Sequence, residues 1–245
     1  MKVIVTRPSP DAEIFAREAA SIGAEPVLSP VMAIRVRETT IDLAGAAALA
    51  FTSANGVRAF AALSPARDLK AFAVGAATAE AARGEGFREV EAAEGDVESL
   101  SRIISKAKLA SHILHLAGSE RTGDLVRQLS AKGIAARREV IYDALEIEDL
   151  ASKAAAILAD EGENPFVVFF SPRSARLFLR QAARAGLTKA LRGATALCLS
   201  AEIAAAVAEA PWSAVLVAQE RTSAAMLRLI ADAFAERKGR TGAPR

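Results

Sequence analysis

Short continuous apolar runs alternate along the chain with longer segments in which apolar residues recur at helical spacing. Residues 47–63, AALAFTSANGVRAFAAL, show this unit once: an apolar run, a small polar turn, then apolar positions three or four residues apart. The first part is typical of a buried strand and the last part of an amphipathic helix. The pattern therefore predicts an α/β fold built from strand, turn and helix units.

The second half of the chain repeats this unit. Residues 166–179, FVVFFSPRSARLFL, have the same order of apolar run, polar turn and helical spacing, and an offset of 118 residues places Ser53 on Ser171 and Phe60 on Phe178. A chain of 245 residues is long enough for two domains of about 100–150 residues. The repeat favours two similar domains over a single large one.

Two long alternating segments, 31–38 and 138–146, occupy the same place in each repeat. If they pair antiparallel, they form a two-stranded link, and each half could then give its first strands to the sheet of the other half. Pro26 and Pro30 indicate that the chain before the first segment begins or bends at a sheet edge.

These segments set the predicted domain boundaries. We place one α/β domain over 1–36 and 146–238 and the second over 37–145. The polar tail, 239–245, is predicted to be disordered.

Composition and charge remove several classes of function. The net charge is only +2 and aromatic residues make up 5%, without basic runs between them, which argues against a nucleic-acid partner. We find neither a membrane-spanning apolar stretch nor a signal peptide in MKVIVTRP at the start. The single cysteine, Cys198, is predicted to be buried and favours a reducing, cytoplasmic compartment. His112 and His115 are too few to suggest a metal site.

Polar turns follow five predicted strands, and each turn introduces a helix. They are Thr6–Arg7–Pro8, Thr52–Ser53–Ala54–Asn55, Gly75–Ala76–Ala77–Thr78, Gly118–Ser119–Glu120–Arg121 and Ser171–Pro172–Arg173–Ser174. Helix N-termini carry unpaired N–H groups and partial positive charge, so they favour anions. The alternative is that these side chains only cap the helices.

Two domains facing each other would direct all five turns into one cleft. A ligand for such a cleft should carry several carboxylates or phosphates, and Arg7, Arg121 and Arg173 could bind carboxylates through both arms of the guanidinium. Neither a P-loop nor a G-x-G-x-x-G motif supports nucleotide binding.

The sequence offers no serine, histidine and acid at the spacing of a nucleophilic site. Its only tyrosine, Tyr142, lies in the alternating segment REVIYDAL. A phenol there could be a packing residue with one polar end, or it could donate a proton to a leaving group.

In these residues the chain resembles the uroporphyrinogen-III synthase family. The matching segments are VTRP, FTSANGVRAF, AVGAATAEAARGEGF, LAGSERTGDLVRQLSAKG followed by VIYDAL, and FFSPRSARLF, in that order over nearly the whole chain. The resemblance implies two similar three-layer α/β/α domains with parallel sheets, flavodoxin-like and strand-swapped, joined by a two-stranded antiparallel ribbon.

The resemblance also implies an activity. Such an enzyme closes hydroxymethylbilane, a linear tetrapyrrole with eight carboxylates, into a ring with loss of water and inversion of the last pyrrole. Neither a metal nor a cofactor is implied, and we expect a monomer. Tyr142 matches the tyrosine thought to help the hydroxyl leave, Thr78 matches the threonine of the V-G-x-x-T-A turn, and Thr52, Ser53 and Ser171 match positions of the cleft.

The candidate site therefore combines one catalytic residue, Tyr142, with residues of the polar turns that would bind the substrate. The binding set is Arg7, Thr52, Ser53, Asn55, Thr78, Gly118, Arg121, Ser171, Arg173, Ser174 and Ser200.

One turn departs from the family pattern. Residues 199–204, LSAEIA, lack the expected threonine, and Glu202 would repel substrate carboxylates unless it points away. This turn keeps open a rival interpretation, a non-catalytic two-domain module that binds an acidic small molecule. A third possibility, a transferase or isomerase of a phosphorylated substrate, would need a cation site that we do not find in the sequence.

Overall fold

The chain folds into two compact units in a computed structural model that describes residues 1–120 and 123–241. Unit 1 comprises Met1–Ala33 and Leu145–Arg245, and unit 2 comprises Ile34–Ala144. Each unit is built on its own sheet, and helices follow most of the strands.

The strands of the described residues are short, apart from one of eleven residues. In chain order they are β1 (Lys2–Val5), β2 (Glu25–Leu28), β3 (Met32–Val36), β4 (Ala46–Phe51), β5 (Lys70–Ala73), β6 (Val90–Ala92), β7 (His112–Gly118), β8 (Ala136–Glu146), β9 (Phe166–Phe169), β10 (Thr195–Cys198) and β11 (Ala214–Val217).

The helices follow the predicted amphipathic segments. They are α1 (Asp11–Ser21), α2 (Ala54–Leu63), α3 (Ala76–Gly84), α4 (Val97–Lys106), α5 (Leu125–Ser130), α6 (Ser152–Ala159), α7 (Pro172–Arg184), α8 (Ala201–Val207) and α9 (Ser223–Thr241), with a short 3-10 helix at Lys189–Gly193.

The sheet of unit 1 is parallel throughout, in the order β11-β10-β9-β1-β2. All four residues of β9 are buried, as expected for a strand covered on both faces. Val3 and Val5 of β1 pack with Phe166 and Val168 of β9 and with Phe15 of α1. β2 lies at the edge, in agreement with the prolines that predicted an edge there.

The second sheet has the order β3-β8-β7-β4-β5-β6. Along β4, Leu49 and Phe51 join a cluster with Phe60 of α2, whereas Ala48 and Ala50 join a separate cluster with Leu100 of α4. The sheet is therefore buried on both faces, in agreement with the buried strands that the apolar runs predicted and the three layers that the resemblance implied.

Strands of both halves of the sequence meet in each sheet. β1 pairs in parallel with β9, and β4 pairs in parallel with β7. The predicted exchange of first strands between the halves is therefore confirmed.

β3 and β8 form the predicted ribbon. The amide of Arg37 donates to the carbonyl of Ile141 at 2.9 Å, and that of Ile147 donates to Val31 at 3.1 Å. The partner number falls as the residue number rises in the other strand, so the pair is antiparallel. The chain passes from one unit to the other within these two strands.

Some element boundaries differ from those predicted. The segment 24–36, where the prolines indicated a strand that begins or bends at an edge, forms two strands, β2 and β3. The helix expected to follow the turn at 118–121 begins at Leu125, because the side chain of Asp124 caps it by accepting the Arg127 amide at 3.0 Å. α9 reaches Thr241, and the remaining part of the tail predicted to be disordered, 242–245, lies outside the described residues.

The structure also bears on two further predictions from the sequence, the burial of Cys198 and the absence of a membrane-spanning segment. Cys198 is fully buried, and burial raises the pKa of its thiol to about 12. Over the described part of the chain, no helix combines the length and the apolar character needed to cross a membrane.

Candidate functional site

Three of the polar turns at the carboxyl ends of strands contain a serine that caps the following helix. Ser53, Ser171 and Ser200 precede α2, α7 and α8, each in an extended conformation. Their hydroxyls accept the amides of Asn55 at 3.1 Å, Ser174 at 3.1 Å and Ile203 at 3.4 Å. All three serines therefore cap helices, whereas α1 and α3 begin without a side-chain cap.

Capping does not use up these hydroxyls. A serine hydroxyl has one donor and two acceptor positions, and the cap occupies one acceptor. The Oγ atoms of Ser171 and Ser174 are 2.8 Å apart, so one hydroxyl donates to the other and the pair has one proton left to donate. Each turn can still offer a hydroxyl proton, and the helix N-terminus adds partial positive charge.

Asn55 and Thr78 lie in the first turns of their helices. The side-chain oxygen of Asn55 accepts a hydrogen bond from Arg58 Nη2 at 2.7 Å, which fixes the side chain on the N-terminal turn of α2. Thr78, in α3, is only 5% exposed. Gly75 precedes this helix, and a Cβ atom there would lie 3.2 Å from the Cα of Gly95, so the turn is closely packed.

Arg7 is already engaged within unit 1. Its Nη2 atom lies 3.0 Å from Asp11 Oδ2, and the guanidinium stacks on the ring of Phe170 at 4.4 Å. Ser223 Oγ lies 3.4 Å from Nη1. A ligand carboxylate at Arg7 would share the guanidinium with Asp11.

Tyr142 lies in β8 with its ring packed between two glycines. A Cβ atom on Gly118 would stand 2.8 Å from the ring, and one on Gly56 would stand 3.7 Å from it. The register shifts here: Ala117 is opposite Val140 and Gly118 is opposite Tyr142, so Ile141 is the extra residue of a bulge. The ring belongs to the apolar cluster of unit 2 and is 9% exposed.

An ion-pair network that we did not predict adjoins Tyr142 in sequence. The carboxylate of Asp143 accepts from Arg37 Nη2 at 2.7 Å and from Nε at 3.1 Å, and Arg35 lies 3.5 Å away. The hydrogen bond from Arg37, helped by one from Ser119, holds the pKa of Asp143 well below its usual range. The alternating polar and apolar residues of 31–38 and 138–146 predicted paired strands but did not indicate which charged side chains would form ion pairs.

His115 is a second residue that the sequence interpretation missed. Its Nε2 atom lies 3.1 Å from the hydroxyl of Thr52, and the residue is 6% exposed. Burial lowers the pKa of the imidazole to about 4; the charge of Arg138 lowers it further and that of Asp124 opposes the shift. The ring is therefore neutral at neutral pH.

The candidate residues fall into two groups by unit. Arg7, Ser171, Arg173, Ser174 and Ser200 belong to unit 1, and Thr52, Ser53, Asn55, Thr78, Gly118 and Tyr142 belong to unit 2. Direct contacts join Gly118 with Tyr142, Ser53 with Asn55 and Ser171 with Ser174. Arg173 is half-buried in the first turn of α7, and Arg121 lies outside the described residues.

The turn at 199–204, which departs from the family pattern, forms the start of α8. Glu202 is exposed in the first turn of α8, where a carboxylate interacts favourably with the helix dipole. Ser200 caps this helix in the same way as Ser53 and Ser171 cap theirs, so the missing threonine does not alter the start of the helix.

A cavity of about 460 Å³ in unit 2 is lined by none of the candidate residues that the structure describes in that unit. Lys108, His112 and Ile134 are among its lining residues. His112 begins β7, whereas Tyr142 lies opposite Gly118, at the other end of that strand. No group of three or more His, Cys, Asp or Glu residues within 1–120 and 123–241 could hold a metal ion.

Comparison with known proteins gave a family and a fold. The family model described as uroporphyrinogen-III synthase HemD matches residues 13–228. The structure of uroporphyrinogen-III synthetase from Helicobacter pylori is 18% identical with a TM-score of 0.64, covering 94% of this chain and 98% of that one. A mutant uroporphyrinogen III synthase from the extremely thermophilic bacterium Thermus thermophilus is 17% identical with a TM-score of 0.54, covering 96% and 99%. A comparison with curated proteins gave no match.

Proposed function

Because this chain belongs to the uroporphyrinogen-III synthase family, we propose that it closes hydroxymethylbilane into uroporphyrinogen III. The reaction is a cyclising dehydration in tetrapyrrole synthesis, in which the fourth pyrrole ring is inverted. The family match over residues 13–228 is the observation that carries this proposal.

The substrate has eight carboxylates, and the capped turns supply groups that bind anions. The helix starts at Ser53, Ser171 and Ser200 each combine an N-terminal dipole with a hydroxyl that can still donate. A hydrogen bond to a charged group contributes about 1.5–3 kcal/mol. Several such bonds would hold a flexible tetrapyrrole without a cluster of lysines, in agreement with the modest net charge of +2.

We propose that Tyr142 acts as the proton donor. In this step the phenol O–H gives its proton to the hydroxyl of hydroxymethylbilane, the C–O bond breaks with both electrons on oxygen, and water leaves. The remaining azafulvene cation is attacked by the substituted carbon of the fourth ring, which gives a spirocyclic intermediate. Fragmentation and recombination of that intermediate then invert the ring, and the proton released as the last pyrrole regains aromaticity balances the one that was donated.

Positioning is the main contribution expected of the protein. The cation is reactive, and without guidance the chain closes to the isomer in which the fourth ring is not inverted. An enzyme that holds one conformation of the substrate favours closure to the isomer with the inverted fourth ring over the spontaneous product. The packing of the Tyr142 ring against Gly118 and Gly56 supports such a role, because it leaves the ring little freedom to move.

The rival interpretation, a non-catalytic binding module, is not favoured. Its support came from the turn at Ser200, which nevertheless forms a capped helix start, and Glu202 is exposed. An isomer assay separates the two interpretations. Fresh hydroxymethylbilane is supplied with and without the full chain, the products are oxidised, and type I and type III porphyrins are separated by chromatography.

A large excess of the type III isomer is the expected result. Type I alone, formed at the spontaneous rate, would contradict the proposed function. A matched reaction with Tyr142→Phe shows whether the phenol contributes to the yield.

We also propose a cellular compartment and an oligomeric state for the enzyme. The free thiol of Cys198 supports a reducing compartment, and we propose that the chain works in the cytoplasm as a monomer that binds no nucleic acid. Sedimentation of the purified chain at assay concentration would test the monomer, with a mass near 25.6 kDa expected.

A further inference from the structure

We propose that His115 is a positioning residue that makes the hydroxyl of Thr52 a hydrogen-bond donor toward a carboxylate of the substrate. The proposal rests on the proposed function in one respect, the carboxylate arm that it assigns to the Thr52 turn. The orientation of the hydroxyl itself follows from contacts within unit 2.

The two residues meet because their strands are neighbours in the sheet. β4 and β7 pair in parallel with Ala50 opposite His115, and Thr52 follows two residues after Ala50. The imidazole Nε2 lies 3.1 Å from the Thr52 Oγ1. His115 is 6% exposed, whereas Thr52 is half-buried at the turn.

The position of the imidazole proton follows from the other ring nitrogen. Nδ1 of His115 is buried and finds no hydrogen-bond partner among the residues that the structure describes. A neutral imidazole has one N–H and one lone pair. Unpaired buried N–H groups are rarer in proteins than unpaired acceptors, so the proton belongs on Nε2, where Thr52 can accept it.

This tautomer decides what Thr52 can offer to a ligand. A threonine hydroxyl has one donor and two acceptor positions. When Oγ1 accepts from His115, its own O–H stays available for an outside acceptor, and an ionised carboxylate is an acceptor only. The opposite tautomer would draw the hydroxyl proton toward His115 and leave only oxygen lone pairs facing the carboxylate.

The first test reads the tautomer directly in the ligand-free full chain. Long-range proton–nitrogen NMR on protein with labelled histidine distinguishes protonated from unprotonated ring nitrogens, and the His112→Gln variant assigns the two rings. We expect the His115 ring to carry its proton on Nε2. A proton on Nδ1 would overturn the inference whatever the activity of the chain.

The second test is a double-mutant cycle in the isomer assay. We expect His115→Leu to lower kcat/KM about tenfold, mainly through KM, which is the scale of one weakened hydrogen bond to a charged group. In the Thr52→Val background the same change should alter kcat/KM less than about twofold, because the hydroxyl that His115 orients is gone. An equal loss in both backgrounds would overturn the inference, since His115 would then act without Thr52.

A conservative variant separates positioning from packing. His115→Gln can place an amide N–H near the position of Nε2, so we expect it to recover most of the kcat/KM lost in His115→Leu. Thermal unfolding of every variant confirms that the fold is kept. A Thr52→Val variant with unchanged kcat/KM would refute the inference and leave the proposed function intact, whereas failure of the wild-type chain to form type III porphyrin would refute the proposed function.

Discussion

The ring of Tyr142 lies so close to Gly118 that a Cβ atom on Gly118 would stand 2.8 Å from both its Cε2 and its Cζ. Only glycine leaves room for the ring there, at the end of β7. The amide of Ser119 donates to the carbonyl of Tyr142 at 2.9 Å, so the backbone also ties the two strands at this point. The position of the phenol therefore depends on a residue of a neighbouring strand.

Replacing Gly118 with alanine should move the tyrosine ring. The new methyl group overlaps the ring, and overpacking in a buried site costs about 1–3 kcal/mol. We expect a lower melting temperature and a lower kcat for Gly118→Ala, measured by thermal unfolding and the isomer assay. Gly84→Ala is the matched control, because a Cβ there meets nothing within 4 Å.

The control should behave in the opposite way. Gly84 lies in α3, where alanine favours a helix over glycine by about 1 kcal/mol, so its variant should be as stable as the wild type or more stable. Equal losses in Gly118→Ala and Gly84→Ala would show that the contact with Tyr142 is unimportant.

Tyr142→Phe tests the proposed proton donor without removing the ring. We expect kcat to fall about a hundredfold, at the lower end of general acid catalysis, with KM changed less than about twofold. Phenylalanine retains the packing against Gly118 and Gly56, so the melting temperature should change little. Steady-state kinetics with fresh hydroxymethylbilane would measure this, and an unchanged kcat would remove the phenol from the mechanism.

Replacing the capping serines with aspartate separates their role in capping from a role in carboxylate binding, because aspartate caps a helix but repels a carboxylate. Aspartate also caps helices, as Asp96 does for α4. Ser53→Asp and Ser171→Asp should therefore keep the melting temperature, whereas alanine at either position should lower stability by about 1 kcal/mol. If the turns bind carboxylates, both aspartate variants should raise KM through repulsion.

The control for these variants lies at the other end of a helix. Ser64 follows α2, and its hydroxyl accepts the Ala66 amide at 3.2 Å. Ser64→Asp adds the same charge away from the turns, so its KM should match that of the wild type. KM values that rise equally in all three aspartate variants would indicate a general effect of charge instead of a binding turn.

Because Asp143 has a lowered pKa in the folded chain, we expect the stability of the fold to depend on pH in the acid range. The pKa of the folded residue lies well below its ordinary value of 3.8, mainly because of the hydrogen bond from Arg37. The unfolded chain therefore takes up this proton first, so the stabilisation is complete above about pH 4 and is lost as the pH falls further. We expect the difference in melting temperature between wild type and Asp143→Asn to be largest near neutral pH and to shrink in acid.

A surface ion pair supplies the comparison for this variant. Asp68 lies 3.7 Å from Arg88, and both side chains are more than 80% exposed. Such pairs contribute little, so Asp68→Asn should leave the melting temperature unchanged at every pH. A difference for Asp143→Asn that stays constant down to about pH 3 would contradict the role of its ionised form.

We expect the buried ring of His115 to cause a second loss of stability as the pH falls, at higher pH than the loss caused by Asp143. The unfolded residue takes up a proton near 6.5, whereas burial lowers the pKa of the folded residue to about 4. Between these values the unfolded state binds the proton more readily, so stability falls as the pH falls from about 6.5 to 4, by about 3 kcal/mol in all. In denaturant unfolding, the difference in stability between wild type and His115→Gln should change by about 3 kcal/mol over this range, and parallel curves would contradict the buried neutral ring.

The repeating units of the fold could be predicted from the sequence because each depends on nearby residues. The continuous run before Thr52 predicted a buried strand, and β4 is buried on both faces. The polar turn after it predicted a helix start, and Ser53 caps α2 within two residues of itself. The exchange of strands was inferred from the repeat and from its two long alternating segments, and the pairing of β1 with β9 confirms it.

The contacts that define the candidate site depend on residues far apart in the chain, and only the tertiary structure decided them. Thr52 and His115 are 63 positions apart, and Arg37 and Asp143 are 106 positions apart. Periodicity gives the face of each residue but not the register of neighbouring strands, and the bulge that brings Gly118 opposite Tyr142 shifts that register by one residue. The sequence by itself determined the order of strands and helices and which turns are polar, because local hydrogen bonds and side-chain spacing are sufficient for that. Which side chains meet was decided by the pairing of strands that the whole sheet brings together.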